Sequence, residues 1–63
     1  MVIKVSNPLK VARAERLMAE QATLMHFFTQ LTGNSWELKH EGDRAQALKE
    51  VERYFTNINY KVE

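Results

Sequence analysis

The residues that could do chemistry are few and scattered. His26 has no carboxylate three or four positions away, so a helix through it would carry no paired metal ligand. His40, Glu41 and Asp43 lie close together along the chain. Neighbouring loop residues without a further ligand are a weak metal signal, however. We therefore expect no metal and no cofactor.

Nucleophilic and phosphate-binding chemistry has as little support. The chain has no cysteine, and neither Ser6 nor Ser35 stands in a motif that carries a base. The two glycines, Gly33 and Gly42, open no phosphate-binding fingerprint. A chain of 63 residues also has little room for a buried cleft that shifts a pKa. These observations predict a protein that is not an enzyme.

Composition limits the cellular compartments and the classes of partner that we expect. The formal net charge is +1, which is a weak electrostatic footprint for nucleic acid or an anionic membrane. No apolar run approaches the roughly 18 to 20 residues of a membrane span. The apolar stretch before Ser6 is too short for a signal peptide, and the lack of cysteine fits the cytosol. We expect a cytoplasmic protein without membrane contact.

A long helix is predicted over about residues 8–32. Asn7 is a candidate N-cap, and Pro8 suits the first helical position. No further proline and no glycine follows before Gly33-Asn34, which reads as a left-handed helix stop.

One face of this helix is broadly apolar. Leu17, Leu24 and Leu31 recur every seven residues, and the whole apolar face covers an arc of about 180°. A helix that packs on one neighbour needs a stripe of only about 100°. A second copy of the chain is therefore expected to cover the excess. The predicted core and dimer interface comprises Val11, Ala14, Leu17, Met18, Leu24, Met25, Phe28, Leu31, Leu48, Val51 and Phe55.

A second, shorter helix is predicted over about residues 43–57. Asp43 is a candidate N-cap, and Gln46 completes a capping-box pattern. Residues 33–42 form the connector. The predicted fold is all-α, a helical hairpin in a single domain spanning residues 1–63, and two copies would form a four-helix homodimer.

A small α/β fold is the alternative. Residues 2–5, 36–39 and 58–62 each alternate in part between apolar and polar side chains, which is the period of a strand. Three short strands around two helices would build such a domain. We prefer the hairpin, because short alternating runs at chain ends are common by chance.

Two features of the first helix are candidate contacts for a partner. Lys10, Arg13 and Arg16 cluster near its start, where free backbone amides also favour phosphate groups. Phe27 lies on the polar side of the predicted helix, about 100° from Phe28. An exposed phenylalanine can mark a protein-binding site, although we favour the view that the connector covers Phe27.

Residues 5–20 resemble a known family. The run reads VSNPLKVARAERLMAE. It is similar to small early-region accessory proteins of lambdoid bacteriophages, whose genes lie between the exonuclease and excisionase genes. The length of 63 residues agrees with the family. The family is grouped as a domain of unknown function, so no site residue comes with the resemblance.

The resemblance implies an accessory protein that is made early in infection and biases phage development towards lytic growth. It implies no catalytic residue and no cofactor. The expected function is therefore non-catalytic regulation by binding a host or phage protein in the host bacterial cytoplasm. The alternative is a small DNA-binding regulator that uses the basic start of the first helix. A weaker alternative is a structural subunit of a larger assembly.

Overall fold

The chain alternates helices with strands along its length. The computed structural model describes residues 1–63. The predicted all-α helical hairpin is wrong, and the α/β alternative is the class that the structure adopts. The strands are β1 (Val2–Val5), β2 (Phe28–Thr32), β3 (Ser35–Leu38) and β4 (Tyr60–Val62); the helices are α1 (Pro8–Glu20), α2 (Ala22–Phe27) and α3 (Arg44–Tyr54), with a 3-10 turn at Glu41–Asp43.

The four strands form one antiparallel sheet in the order β2-β3-β1-β4. α1 and α2 connect β1 to β2, and α3 connects β3 to β4. This element order is the split β-α-β arrangement of ferredoxin-like folds, with its first connecting helix broken in two. β1 and β3 lie in the centre of the sheet, so β2 and β4 are its edges. The α/β alternative placed strands near β1, β3 and β4 but none at β2.

The helices cover one face of the sheet, and the core lies between the two layers. Ile3 and Val5 on β1 and Leu24 on α2 are fully buried. Ile3 stands opposite Trp36 on β3, and cross-strand partners share a face, so Trp36 also points towards the helices. The thirteen core residues are Ile3, Val5, Ala14, Met18, Leu24, Phe27, Phe28, Trp36, Leu38, Ala47, Val51, Phe55 and Ile58.

The predicted helix over residues 8–32 is interrupted twice. Gln21 has extended backbone (φ −83°, ψ 113°) and separates α1 from α2. Phe28 is also extended (φ −123°, ψ 150°), and it ends α2 and begins β2. On a continuous helix Phe27 and Phe28 would point about 100° apart, so a narrow stripe could not bury both. The change from helix to strand buries both rings, which are 8% and 4% exposed.

Gly33 and Asn34 form a hairpin turn instead of a helix stop. Thr32 pairs with Ser35, which leaves two residues in the turn between β2 and β3. Thr32 Oγ1 and Ser35 Oγ lie 2.6 Å apart, and Asn34 Nδ2 donates to the Val5 carbonyl at 3.2 Å. Neither turn residue has a left-handed φ, so the predicted left-handed cap is wrong.

The helix starts differ in their capping. α1 begins at Pro8, and Asn7 Oδ1 accepts a hydrogen bond from the Leu9 N–H at 3.0 Å. Asp43 makes no such bond for α3, because a 3-10 turn leads into that helix, so the predicted capping box is wrong.

The longest helix has 13 residues, and no helix combines the length and apolar character needed to cross a membrane.

The sheet of a single copy covers most of the broad apolar face for which the sequence predicted a second copy as cover. Met18, Leu24 and Phe28 are each at most 5% exposed. The four-helix homodimer therefore loses its basis, because neither the hairpin nor its broad uncovered face exists. The large apolar side chains that stay exposed are Leu9, Met25, Leu31 and Val62.

Candidate functional site

β2 presents an open edge of the sheet. The Lys39 N–H donates to the Phe27 carbonyl at 2.8 Å. Counted from Phe27, every second residue therefore directs its backbone N–H and carbonyl towards β3. By the alternation of an antiparallel pair, Gln30 then directs its N–H and its carbonyl away from the sheet. The register shifts between Gln30 and Thr32, which makes Leu31 a bulge.

β2 has little of the protection that sheet edges usually carry. None of its five residues is charged, and none is proline. Natural edge strands are commonly blunted by lysine, proline, short length or a bulge, and β2 has only the bulge. β4 has three residues and includes Lys61. A further strand would therefore pair more readily with β2 than with β4.

A groove of about 270 Å³ lies beside this edge, between α1 and β2. Met18 and Ala19 reach it from α1, Met25 from α2, and Phe28 and Trp36 from the sheet. These five side chains are apolar, so the groove suits an apolar side chain. The full lining is Glu15, Met18, Ala19, Met25, Phe28, Thr29, Gln30 and Trp36.

The rim of the groove is polar and carries one negative charge. Gln30 Nε2 donates to Glu15 Oε2 at 3.0 Å and to the Thr32 carbonyl at 2.9 Å. Glu15 is the only charged residue among those that line the groove. It belongs to none of the three ion pairs of the chain. The neighbouring Arg16 pairs with Glu20 instead, at 3.0 Å. The charge of Glu15 is therefore not neutralised within the chain.

Two of the four exposed large apolar side chains adjoin the groove and its edge. Met25 lines the groove and is 48% exposed, while Leu31 on β2 is 51% exposed. The thioether of methionine is flexible and polarisable, so it adapts to differently shaped partners. Edge, groove and exposed apolar side chains thus occur together at β2.

The residues predicted to contact a partner are not all available at the surface. Arg13 and Arg16 are exposed on α1 and Lys10 is half-buried, while Arg16 is engaged by Glu20. Phe27 is 8% exposed and belongs to the core, so it presents no ring to a partner.

The predicted core and interface residues separate into three groups. Six are buried in the core of a single copy: Ala14, Met18, Leu24, Phe28, Val51 and Phe55. Three are half-buried against that core: Val11, Leu17 and Leu48. Only Met25 and Leu31 are exposed, and both lie at the β2 edge or its groove.

The sheet face away from the helices is polar. Because Ile3 points into the core, Lys4 points to the other face, together with its cross-strand partners Ser35 and Lys61. Glu37 shares that face through its pairing with Val2. No aromatic side chain stands among these residues, so this face offers no platform on which bases could stack.

The titratable groups with shifted pKa values lie outside the groove. Burial raises the pKa of Tyr60, and the nearby charge of Glu52 raises it further. A hydrogen bond from the amino group of Met1 lowers the pKa of the Glu41 carboxyl. Neither histidine lines the groove, and no three potential metal-ligating side chains come together.

Sequence reasoning missed β2, and with it the contact between Gln30 and Glu15. A usable signal was present. Gly33-Asn34 is a two-residue turn sequence between residues 28–32 and the alternating residues 35–38, which is typical of a hairpin.

Comparisons of the chain with protein-family models, with curated proteins and with solved structures gave no match. The resemblance to lambdoid early proteins therefore stays a prediction. Fold and site together define a small two-layer α/β module with an uncharged open edge strand and an apolar groove beside it.

Proposed function

We propose that the protein is a non-catalytic binding module that accepts an extended segment of a partner protein on β2. The segment would continue the sheet as a fifth strand and place one apolar side chain in the groove. The observation that carries the proposal is that an uncharged open edge and an apolar groove meet at the same strand.

Strand addition divides recognition between two sets of atoms. Main-chain hydrogen bonds along the edge supply affinity, and pockets for alternate side chains supply specificity. Here Gln30 offers its outward N–H and carbonyl for the first role. Met25, which is 48% exposed, offers an apolar surface for the second, beside the buried Met18, Phe28 and Trp36 that also line the groove.

The resemblance to lambdoid early proteins suggests what the partner is. On that basis we propose that the partner is a host or phage protein in the cytoplasm of an infected bacterium. Occupation of the β2 edge would then be the step by which this accessory protein biases development towards lytic growth.

DNA binding by the start of α1 is the second candidate. It is favoured by Lys10 and Arg13, which take part in no ion pair of the chain. Retention on DNA-cellulose at low salt that is lost in moderate salt, and lost in the double variant Arg13→Glu with Arg16→Glu, would favour it. A lack of retention at low salt would exclude it.

The β2 strand of a second copy of this chain is another segment that would fit the edge. Two β2 strands related by a two-fold axis would pair antiparallel. Sedimentation separates this case, because such a dimer has about twice the 7.4 kDa mass of one chain.

The proposal predicts that capture of a partner depends on the groove and on the outward N–H of Gln30. Ala19→Trp fills the groove from an exposed position, and Gln30→Pro removes a donor that points away from the sheet. Affinity purification from bacterial lysate, read by quantitative mass spectrometry, should recover one stoichiometric protein with the wild type. Recovery should fall about tenfold or more with either variant, which corresponds to 1.4 kcal/mol of binding energy.

Two matched controls accompany these variants. Ala12→Trp makes the same change at another exposed alanine of α1 that does not line the groove. Val62→Pro removes an outward N–H at the β4 edge, because the hydrogen bonds between Val2 and Glu63 place Val62 in the outward position. Circular dichroism should show all four variants folded. Equal recovery by all four, or no enriched protein at all, would contradict the proposal.

A further inference from the structure

The amide nitrogen of Gln30 occupies a small acceptor site at the edge of the sheet. Glu15 Oε2 lies 3.0 Å from it and the Thr32 carbonyl oxygen 2.9 Å. One acceptor comes from α1 and the other from the end of β2, so the site exists only where these two elements meet. All three residues are exposed, which leaves the site within reach of a docked chain.

A neutral amide is a weak match for this site. The bond from the amide to Glu15 has a charged acceptor only, whereas a cationic donor would add the attraction between opposite charges. No basic side chain of this chain pairs with Glu15. Lys39, the basic residue at the Met25 side of the groove, instead donates through Nζ to the Met25 carbonyl at 3.0 Å.

A strand added to β2 would run beside this site. Neighbouring strands lie about 4.8 Å apart, so a side chain of the added strand next to Gln30 reaches the same two acceptors. Alternate residues of a strand share a face. A segment whose apolar side chain enters the groove therefore brings the side chain two positions away to the rim at Glu15.

We propose that the partner segment carries a lysine or arginine two positions from its apolar anchor, and that this cation replaces the Gln30 amide between Glu15 and the Thr32 carbonyl. This inference rests on the proposed function and adds to it the chemistry of the partner. Charge complementarity commits it to a basic segment, because Glu15 is the one charged group that lines the groove.

Synthetic peptides test the inference without a known partner. Each would be a seven-residue, threonine-rich chain with blocked ends, a leucine, phenylalanine or methionine anchor, and arginine, glutamine or glutamate two positions before or after it. Trp36 lines the groove and is the only tryptophan, so its fluorescence reports binding. Amide shifts of Gln30 and Leu31 in NMR spectra report the location.

The expected result is a preference for arginine over glutamine of about 1.4- to five-fold at low salt, since partly exposed ion pairs contribute about 0.2–1 kcal/mol. Glutamate peptides should bind more weakly still. The preference should weaken with added salt. It should disappear in Glu15→Gln and in Gln30→Lys, whose own ammonium would fill the site. It should persist in Glu20→Gln, which removes an equal charge from α1 outside the groove.

The outcomes separate the two proposals. Binding at Gln30 and Trp36 that is equal for arginine, glutamine and glutamate peptides would overturn the basic-segment inference and leave the proposed function standing. A preference that survives Glu15→Gln would also overturn the inference. No change at Gln30, Leu31 or Trp36 with any peptide up to millimolar concentration would overturn both.

Discussion

At the edge of the sheet, the side chain of Gln30 joins two parts of the molecule that are distant in sequence. Its amide reaches Glu15, fifteen residues earlier on α1, as well as Thr32 on its own strand. A single glutamine thus occupies the rim of the groove and holds the place that we assign to a partner's cation.

A second residue with a special role is Asn57, in the loop between α3 and β4. Its φ of 66° is the only left-handed value in the chain. Asparagine tolerates this conformation better than most residues, whereas a β-branched side chain does not.

Replacing Asn57 should therefore test the loop conformation directly. Asn57→Val should lower the free energy of unfolding by about 1–2 kcal/mol, while Asn57→Gly should leave it nearly unchanged. Urea unfolding measures both. Asn59→Val is the control at an exposed asparagine of the same loop without a left-handed φ. An equal loss for valine at the two positions would contradict the assignment.

Among the elements, β2 has the largest consequence for function. It converts the end of a predicted helix into an edge strand, and it supplies the open backbone groups and one side of the groove. Its register against β3 determines which backbone groups of β2 are hydrogen-bonded and which are free.

Proline substitutions at neighbouring positions should reveal that register. The N–H of Thr29 points towards β3, where Thr29 stands opposite Glu37, whereas the N–H of Gln30 points outward. Thr29→Pro should therefore cost about 1–3 kcal/mol more unfolding free energy than Gln30→Pro, because it breaks a ladder hydrogen bond and leaves a carbonyl unpaired. Urea unfolding compares the two. Equal losses at both positions would argue for a helix, or for a different register.

For the molecule as a whole, the sheet replaces the second copy as the cover of the apolar face. A chain of 63 residues has a total stability of about 3–9 kcal/mol, so one large core side chain represents a sizeable share of it. Leu24 is fully buried between the layers, whereas Leu9 is 87% exposed.

Leu24→Ala should lower the free energy of unfolding by about 2–5 kcal/mol, enough to unfold much of the population at the lower end of that stability range. Leu9→Ala should change it by less than about 0.5 kcal/mol, as an exposed substitution does. Thermal and urea unfolding followed by circular dichroism give both values. Similar effects of the two substitutions would contradict the core described above.

Local patterns in the sequence accounted for part of this structure. Asn7 and Pro8 mark the start of α1, and the buried side chains Ala47 and Val51 lie in the apolar stripe of α3. Such features depend on neighbours within one or two turns of helix, so a reading of residue spacing can find them.

The end of the first helix and the groove depend on contacts across the chain. Residues 28–32 form a strand because they pair with residues 35–38, which in turn pair with β1. The run of helix-forming residues before Gln21 carries no sign of that pairing. The acceptor site at Gln30 needs both α1 and β2 in place, because Glu15 reaches it only when the sheet lies beneath the helix. The hairpin turn at Gly33-Asn34 is a local signal, but the pairing of β3 with β1 joins residues that are far apart in sequence and leaves little trace in local spacing.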